Sequence, residues 1–190
     1  MKRLTLTDLC ITLSACAPYT LMAPGPNTAG DMKFETSIPW TRFSSYRPGP
    51  HTEMWTVDGQ ALDNILIFKG VPDGETLFRS AAKQNPMPEF KSDMLPQEVM
   101  ELVQSSLTKF YGEGNILLTL DGLKPAKFLN HGGFRFNMAF SNQRGLNYLG
   151  KGVAAIKDGQ LYMMLYTGTQ IYYFAQYDEE FERIINSASL

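Results

Sequence analysis

The chain has 190 residues, 44% of them hydrophobic and 19% charged, which is enough for one domain with its own core and too apolar for extended disorder. A formal net charge of −2 gives no basic field for releasing counterions, so no nucleic-acid partner is expected. The two cysteines and two histidines, Cys10, Cys16, His51 and His131, lack the paired spacing of a Cys/His zinc site, and no apolar run approaches the roughly 18 residues of a membrane-crossing helix.

The chain opens Met1-Lys2-Arg3, runs through a mostly apolar stretch over 4–15 and arrives at Cys16. A short basic start, an apolar stretch and small residues before a cut site make an export signal. Leu13-Ser14-Ala15-Cys16 resembles the lipobox of bacterial lipoproteins. In that family the signal is removed just before the cysteine, whose thiol forms a thioether to diacylglycerol. The resemblance implies a signal peptide over 1–15, a lipid on Cys16 and anchorage to a membrane through that lipid. It places the domain in the periplasm of a bacterial cell envelope. Asp8 is a charge within the apolar stretch, and Cys10 follows Thr7-Asp8-Leu9, which does not fit the box. The competing reading makes 4–17 an ordinary first strand or helix with a free Cys16.

Residues 17–31 hold Pro18, Pro24, Gly25, Pro26 and Gly30 with no hydrophobic period. With the lipidated Cys16 they read as a flexible tether over 16–31, able to reach about 50 Å at about 3.3 Å per residue. The alternative is a loop packed on the domain. The domain is then expected over 32–190.

Four Asp-Gly pairs follow, at 58–59, 73–74, 121–122 and 158–159. Between extended segments such pairs favour tight hairpin turns. Residues 52–57 and 61–69 are expected to form one hairpin, and 153–157 with 160–166 another. Asn130-His131-Gly132-Gly133 is expected to turn 126–129 into 133–140. In that last strand Phe134, Phe136, Met138 and Phe140 share one face, while Arg135, Asn137 and Ala139 share the other. Ile65-Leu66-Ile67-Phe68 and Leu161-Tyr162-Met163-Met164-Leu165 are apolar on both faces and belong at the centre of a covered sheet. Gly150 and Gly152, in a segment that reads as a strand, leave room for neighbouring side chains.

Two segments carry helical period. Pro96 suits a first turn, and Val99, Leu102, Val103, Leu107 and Phe110 then form one stripe, predicting a helix over 96–111. Tyr177, Phe181, Ile184, Ile185 and Ala188 predict a second over 176–187, with Asp178, Glu179 and Glu180 at its positive end. Each stripe must be buried against a sheet, which makes the fold class α+β, an antiparallel β-sheet sandwiched with helices.

The same residues carry a resemblance. Met94-Leu95-Pro96-Gln97-Glu98 opens a helix, a strand follows around 115–120, then Gly132-Gly133-Phe134-Arg135-Phe136, a meander, and a last helix after Tyr172-Tyr173-Phe174. From about Trp55 to Ser187 this resembles a group of proteobacterial envelope lipoproteins whose layout is similar to the fold of PsbP and the Ran-binding Mog proteins. The resemblance implies a PsbP/Mog-like fold and brings no catalytic residues with it. That fold hosts unrelated roles, so it does not name one.

Chemistry-bearing patterns are sparse. There is no Gly-x-Ser-x-Gly elbow and no phosphate-cradling loop. His51 and His131 read as loop and turn residues, and Glu179-Glu180 as helix N-terminal charge. No metal site, cofactor or catalytic set is expected, and the protein reads as a non-enzyme. Aromatic residues make up 12% of the chain. Trp40, Phe43 and Tyr46 fall in an irregular stretch with Arg42 and Arg47, and Tyr162, Tyr166, Tyr172 and Tyr173 gather late. Trp40, Tyr46, Tyr162, Tyr172 and Tyr173 are therefore candidate binding residues, against the plainer reading that they pack the core. The loop over 84–95, with Pro86 and Pro88, is a candidate binding lip.

These features favour a non-catalytic envelope lipoprotein whose domain binds an envelope protein partner or serves an assembly. The alternatives are a periplasmic-side carrier of a small hydrophobic ligand and, third, an enzyme with a cryptic site. An enclosed apolar cavity of a few hundred Å³ would favour the carrier. Cys16→Ser is expected to move the protein from the membrane fraction to a soluble or unprocessed form. Fractionation and intact mass of the native protein check this, the wild type losing residues 1–15 and gaining acyl groups.

Overall fold

The computed structural model describes residues 18–44, 48–80 and 85–190. The expected signal peptide, Cys16 and Tyr46 lie outside the described residues. In chain order the elements are β1 (Tyr19–Met22), β2 (Gly25–Ala29), β3 (Met32–Thr36), β4 (Trp40–Phe43), β5 (Thr52–Thr56) and β6 (Asp63–Val71). Then come α1 (Pro96–Tyr111), β7 (Ile116–Phe128), β8 (His131–Asn142), β9 (Asn147–Lys157), β10 (Gln160–Thr169) and α2 (Tyr173–Ser187).

The architecture is α+β. Eight of the strands form one antiparallel sheet in the order β1-β4-β5-β6-β10-β9-β8-β7, and β2 pairs with β3 as a separate hairpin. The two runs that are apolar on both faces become the central pair, with Leu66 of β6 opposite Leu165 of β10. Alternation along these strands feeds two cores. Leu66, Phe68, Met163 and Leu165 join Phe136 and Met138 of β8 and the α1 stripe at Val99, Leu102, Val103 and Leu107. Ile65, Ile67, Met164 and Tyr166 join Phe181, Ile184 and Ile185 of α2 and Ala29, Met32 and Phe34 of the small hairpin.

Helix α1 occupies the expected span, and Glu98 reaches back to accept the Leu95 N–H at 2.7 Å, satisfying one free donor of its first turn. Helix α2 begins three residues before the expected start, because the buried Tyr166 hydroxyl on β10 donates to the carbonyls of Tyr173 and Phe174. Gly168 of β10 lets that first turn close in: a Cβ there would lie 2.6 Å from the Phe174 nitrogen. The acidic run therefore sits inside the helix rather than at its positive end. Glu180 is buried and accepts hydrogen bonds from the Ser37 N–H at 2.7 Å and the Ser37 hydroxyl, so it is a tie between α2 and the chain after β3, not dipole charge.

The expected tether is a correction. From Pro18 onward it lies on the domain: β1 pairs with β4, and the β2–β3 hairpin packs on α2. Asn27, Ala29, Met32, Phe34 and Thr36 alternate inward, a period of two hidden by the dense Pro and Gly. Lys33 and Ser189 exchange two backbone hydrogen bonds, closing the hairpin against the end of the chain. The described domain thus begins well before residue 32. The stretch around Trp40 is likewise not irregular but strand β4, paired with β1 and β5.

The three expected hairpins form. The β7–β8 turn falls one residue early, on Leu129 and Asn130, both at positive φ, and His131 to Gly133 open β8 instead. Asp121-Gly122 is a register shift inside β7 rather than a turn between strands. The loop over 84–95 is no lip in its described part: Met87 and Phe90 are buried, and Phe90 exchanges backbone bonds with Gly74 and Glu75.

Phe136 is 1% exposed, and its ring fills the space that a Cβ on Gly152 would need. Phe136→Ala is expected to cost about 3–5 kcal/mol, a large part of the stability of a domain of this size, read by chemical denaturation at constant m.

Candidate functional site

Among the described residues, a roomy concavity lies between the end of α1, the start of β7 and the β8–β9 end of the sheet, with the β5–β6 turn as its remaining wall. Its volume is about 440 Å³. Phe110, Tyr111, Ile116, Phe140, Tyr148 and Met54 supply the apolar lining, and Gln60, Asn64 and Asn142 the amides. Deeper, Leu107, Leu118, Met138 and Leu165 form an apolar floor continuous with the α1 core.

Local chemistry holds each wall. The buried Asp63 carboxylate accepts N–H bonds from Val57 and Asp58, both at 2.8 Å, which pins the β5–β6 turn and so places Gln60, Ala61 and Asn64. Tyr148 stacks face to face on Phe140 with ring centroids 4.5 Å apart, and its hydroxyl donates to the Ala61 carbonyl at 2.9 Å. Sheet and turn are thereby tied across the mouth. Tyr111 adds a second stacked ring on Phe140. The Asn142 side-chain oxygen accepts from the Arg144 and Leu146 N–H groups and shapes the β8–β9 turn.

The sequence-predicted residues do not gather here. Trp40 is fully buried against α2, its indole N–H without a partner among the described residues, and Tyr162 is 8% exposed with its hydroxyl on Gln160. Tyr172 is exposed and stands edge-on to the half-buried Tyr173. Tyr46 is outside the described residues. The lining was not legible because its members come from six elements and the β5–β6 turn. Phe140, at the end of the greasy face of β8, was the one with a pattern behind it.

Among the groups with displaced protonation, Tyr148 lines the cavity and Asp63 pins its turn, while Tyr166, Tyr177 and Glu182 lie on the α2 side of the sheet. Burial pushes the Asp63 carboxyl above the usual range, outweighing the N–H bonds from Val57 and Asp58. Tyr177 is pushed up by burial and by its hydrogen bond to Asp58, and Tyr166 by burial. Burial also raises the Tyr148 phenol. On the opposite side of the sheet Glu182 pairs with Arg135 and, at 3.1 Å, with Lys151, which also lies 2.6 Å from Asp178. Burial would raise the Glu182 carboxyl, but the bonds from Arg135 and Lys151 outweigh it and hold it below its ordinary value. None of the cavity-lining residues is charged at neutral pH. Among the described residues no cluster of His, Cys, Asp and Glu could hold a metal ion, and no helix is long and apolar enough to cross a membrane.

No family model matches the chain, and no curated protein matches it. Among solved structures it is similar to the cyanobacterial PsbP, CyanoP, from Synechocystis sp. PCC 6803, with a TM-score of 0.61 at 8% identity over 95% of this chain and 96% of that one. The fold is therefore PsbP-like. LpqN, described as involved in cell envelope biogenesis of Mycobacterium tuberculosis, aligns at 10% identity over 93% of this chain and 86% of that one, but with a TM-score of 0.37.

Because the folded state lowers the Glu182 pKa, the ion cluster stabilises the protein above the unfolded value of about 4.3 and loses that contribution as pH falls through the folded value. Glu182→Gln is expected to melt lower than wild type at pH 7, with the gap closing as the pH falls below about 4.3. Paired thermal melts across that range check the sign.

Proposed function

We propose that the protein is a non-catalytic, lipid-anchored component of a bacterial envelope whose domain holds a small, largely apolar ligand between α1 and the sheet. The observation that carries this is the partly open 440 Å³ cavity, of a size typical of small-molecule sites and faced with aromatic and aliphatic side chains beside three amides. It moves the carrier reading ahead of the protein-partner reading. The envelope setting rests on Lys2-Arg3, the apolar stretch and Leu13-Ser14-Ala15-Cys16. A catalytic reading would want convergent charged groups at the cavity, and the lining supplies none. The protein-partner reading keeps one observation in its favour: Leu117, Ile171 and Tyr172 are 76%, 89% and 56% exposed.

The test uses N-phenyl-naphthylamine, an apolar dye that brightens on leaving water. Wild-type protein is expected to bind it saturably at one site. Ala61→Trp, which fills the mouth from an exposed position, is expected to weaken binding at least about tenfold with little change in melting temperature. Unsaturable or Ala61-independent binding would overturn the carrier reading.

A further inference from the structure

The amides in the cavity are not interchangeable with generic polar surface. Asn64 is 5% exposed, and its Nδ2 donates to the Gln60 carbonyl at 3.2 Å. A carbonyl can only accept, so this bond decides which end of the Asn64 amide is which. Oδ1 is left over, an acceptor with no partner among the described residues. Asn142 is fixed in the opposite sense. Its Oδ1 is occupied by two N–H groups, at 3.0 and 3.1 Å, which leaves Nδ2 as a donor without a partner among the described residues. The concavity thus carries one acceptor, on the buried Asn64, and one donor, on the half-buried Asn142, both of decided polarity beside the stacked rings of Phe140 and Tyr148.

The charge pattern narrows the ligand further. With no lining residue charged at neutral pH, an anion or cation entering the cavity would shed water and gain no counter-charge. The apolar floor below Asn64 adds to that penalty.

We infer that the cavity selects an uncharged ligand with a flat apolar body and a hydrogen-bond donor, which it places on Asn64 Oδ1, while Asn142 Nδ2 takes an acceptor if the ligand has one. The inference rests on the reading of the cavity as a small-ligand site. An amide left unpaired against an apolar ligand loses the bonds it makes to water, so a ligand lacking the donor is disfavoured. That is how a site that is mostly grease discriminates among apolar molecules of similar size.

Three related dyes test this on the wild-type protein. N-phenyl-naphthylamine is neutral and carries one N–H; its N-methyl derivative lacks the donor; anilinonaphthalene sulfonate adds a negative charge to the same body. The N-methyl dye is expected to bind about tenfold more weakly than the parent, and the sulfonate at least about tenfold more weakly. Asn64→Leu, which keeps the side-chain size, is expected to bring the parent and N-methyl dyes to equal affinity while leaving the sulfonate excluded. Should that variant misfold, the wild-type ratios still decide. If all three dyes bind equally and Ala61→Trp displaces them, the ligand class is wrong and the cavity reading survives. If no dye binds, both fall.

Discussion

The pairing of β6 with β10 is the constraint on which the remainder hangs. Both strands are apolar on each face, and neither could remain in water on either side. Each face therefore requires a cover, and the chain provides two different ones. One is α1. The other is α2 together with the β2–β3 hairpin. Burial of a large apolar side chain is worth about 1.5–3 kcal/mol, so a register slip of one residue, which would exchange the two faces and mismatch both covers, is strongly disfavoured.

The covers differ in how closely they fit. On the α2 side, Gly168 admits the first turn of the helix to van der Waals contact, Tyr166 bonds its carbonyls, and Glu180, Glu182 and Asp178 tie it to β8, β9 and the chain after β3. On the α1 side, the stripe packs tightly at Val99 and Val103, but the helix ends at Phe110 and Tyr111 while the sheet runs on. The cavity is the space left where the shorter layer stops. Its polar groups come from the strand ends and the turn that frame that end: Asn64 on β6, Asn142 on β8 and Gln60 in the β5–β6 turn.

Much of this was written in local pattern. Both helices, the central strands, the one-sided strand 134–140 and the close approach at Gly152 all follow from period and residue size, signals that survive without tertiary context. What failed did so for physical reasons. Pro18, Pro24, Gly25, Pro26 and Gly30 masked the inward alternation of Asn27, Ala29, Met32, Phe34 and Thr36, because a hairpin at the margin of a domain tolerates turn formers that a central strand would not. Trp40 and Tyr162 attracted notice as aromatics, but an aromatic side chain is equally a filler of volume, and here both fill. The cavity depends on where α1 stops relative to β7, β8 and β9, a distance in space that no spacing along the chain encodes.

The early onset of strand structure would change the mechanics of an attachment through Cys16. Tyr19 already pairs with Phe43, so only Ala17 and Pro18 separate Cys16 from the sheet. Three residue steps reach about 10 Å at about 3.3–3.6 Å each, against the roughly 50 Å of a free tether. A lipid on Cys16 would therefore act as a pivot on a short leash, setting β1, with the exposed Tyr19 and Leu21, against the headgroups. The sheet would stand out from the bilayer as a stiff arm. Seven strand spacings of about 4.8 Å separate its two edges, so the height of the far edge would be decided by the sheet rather than by a wandering linker.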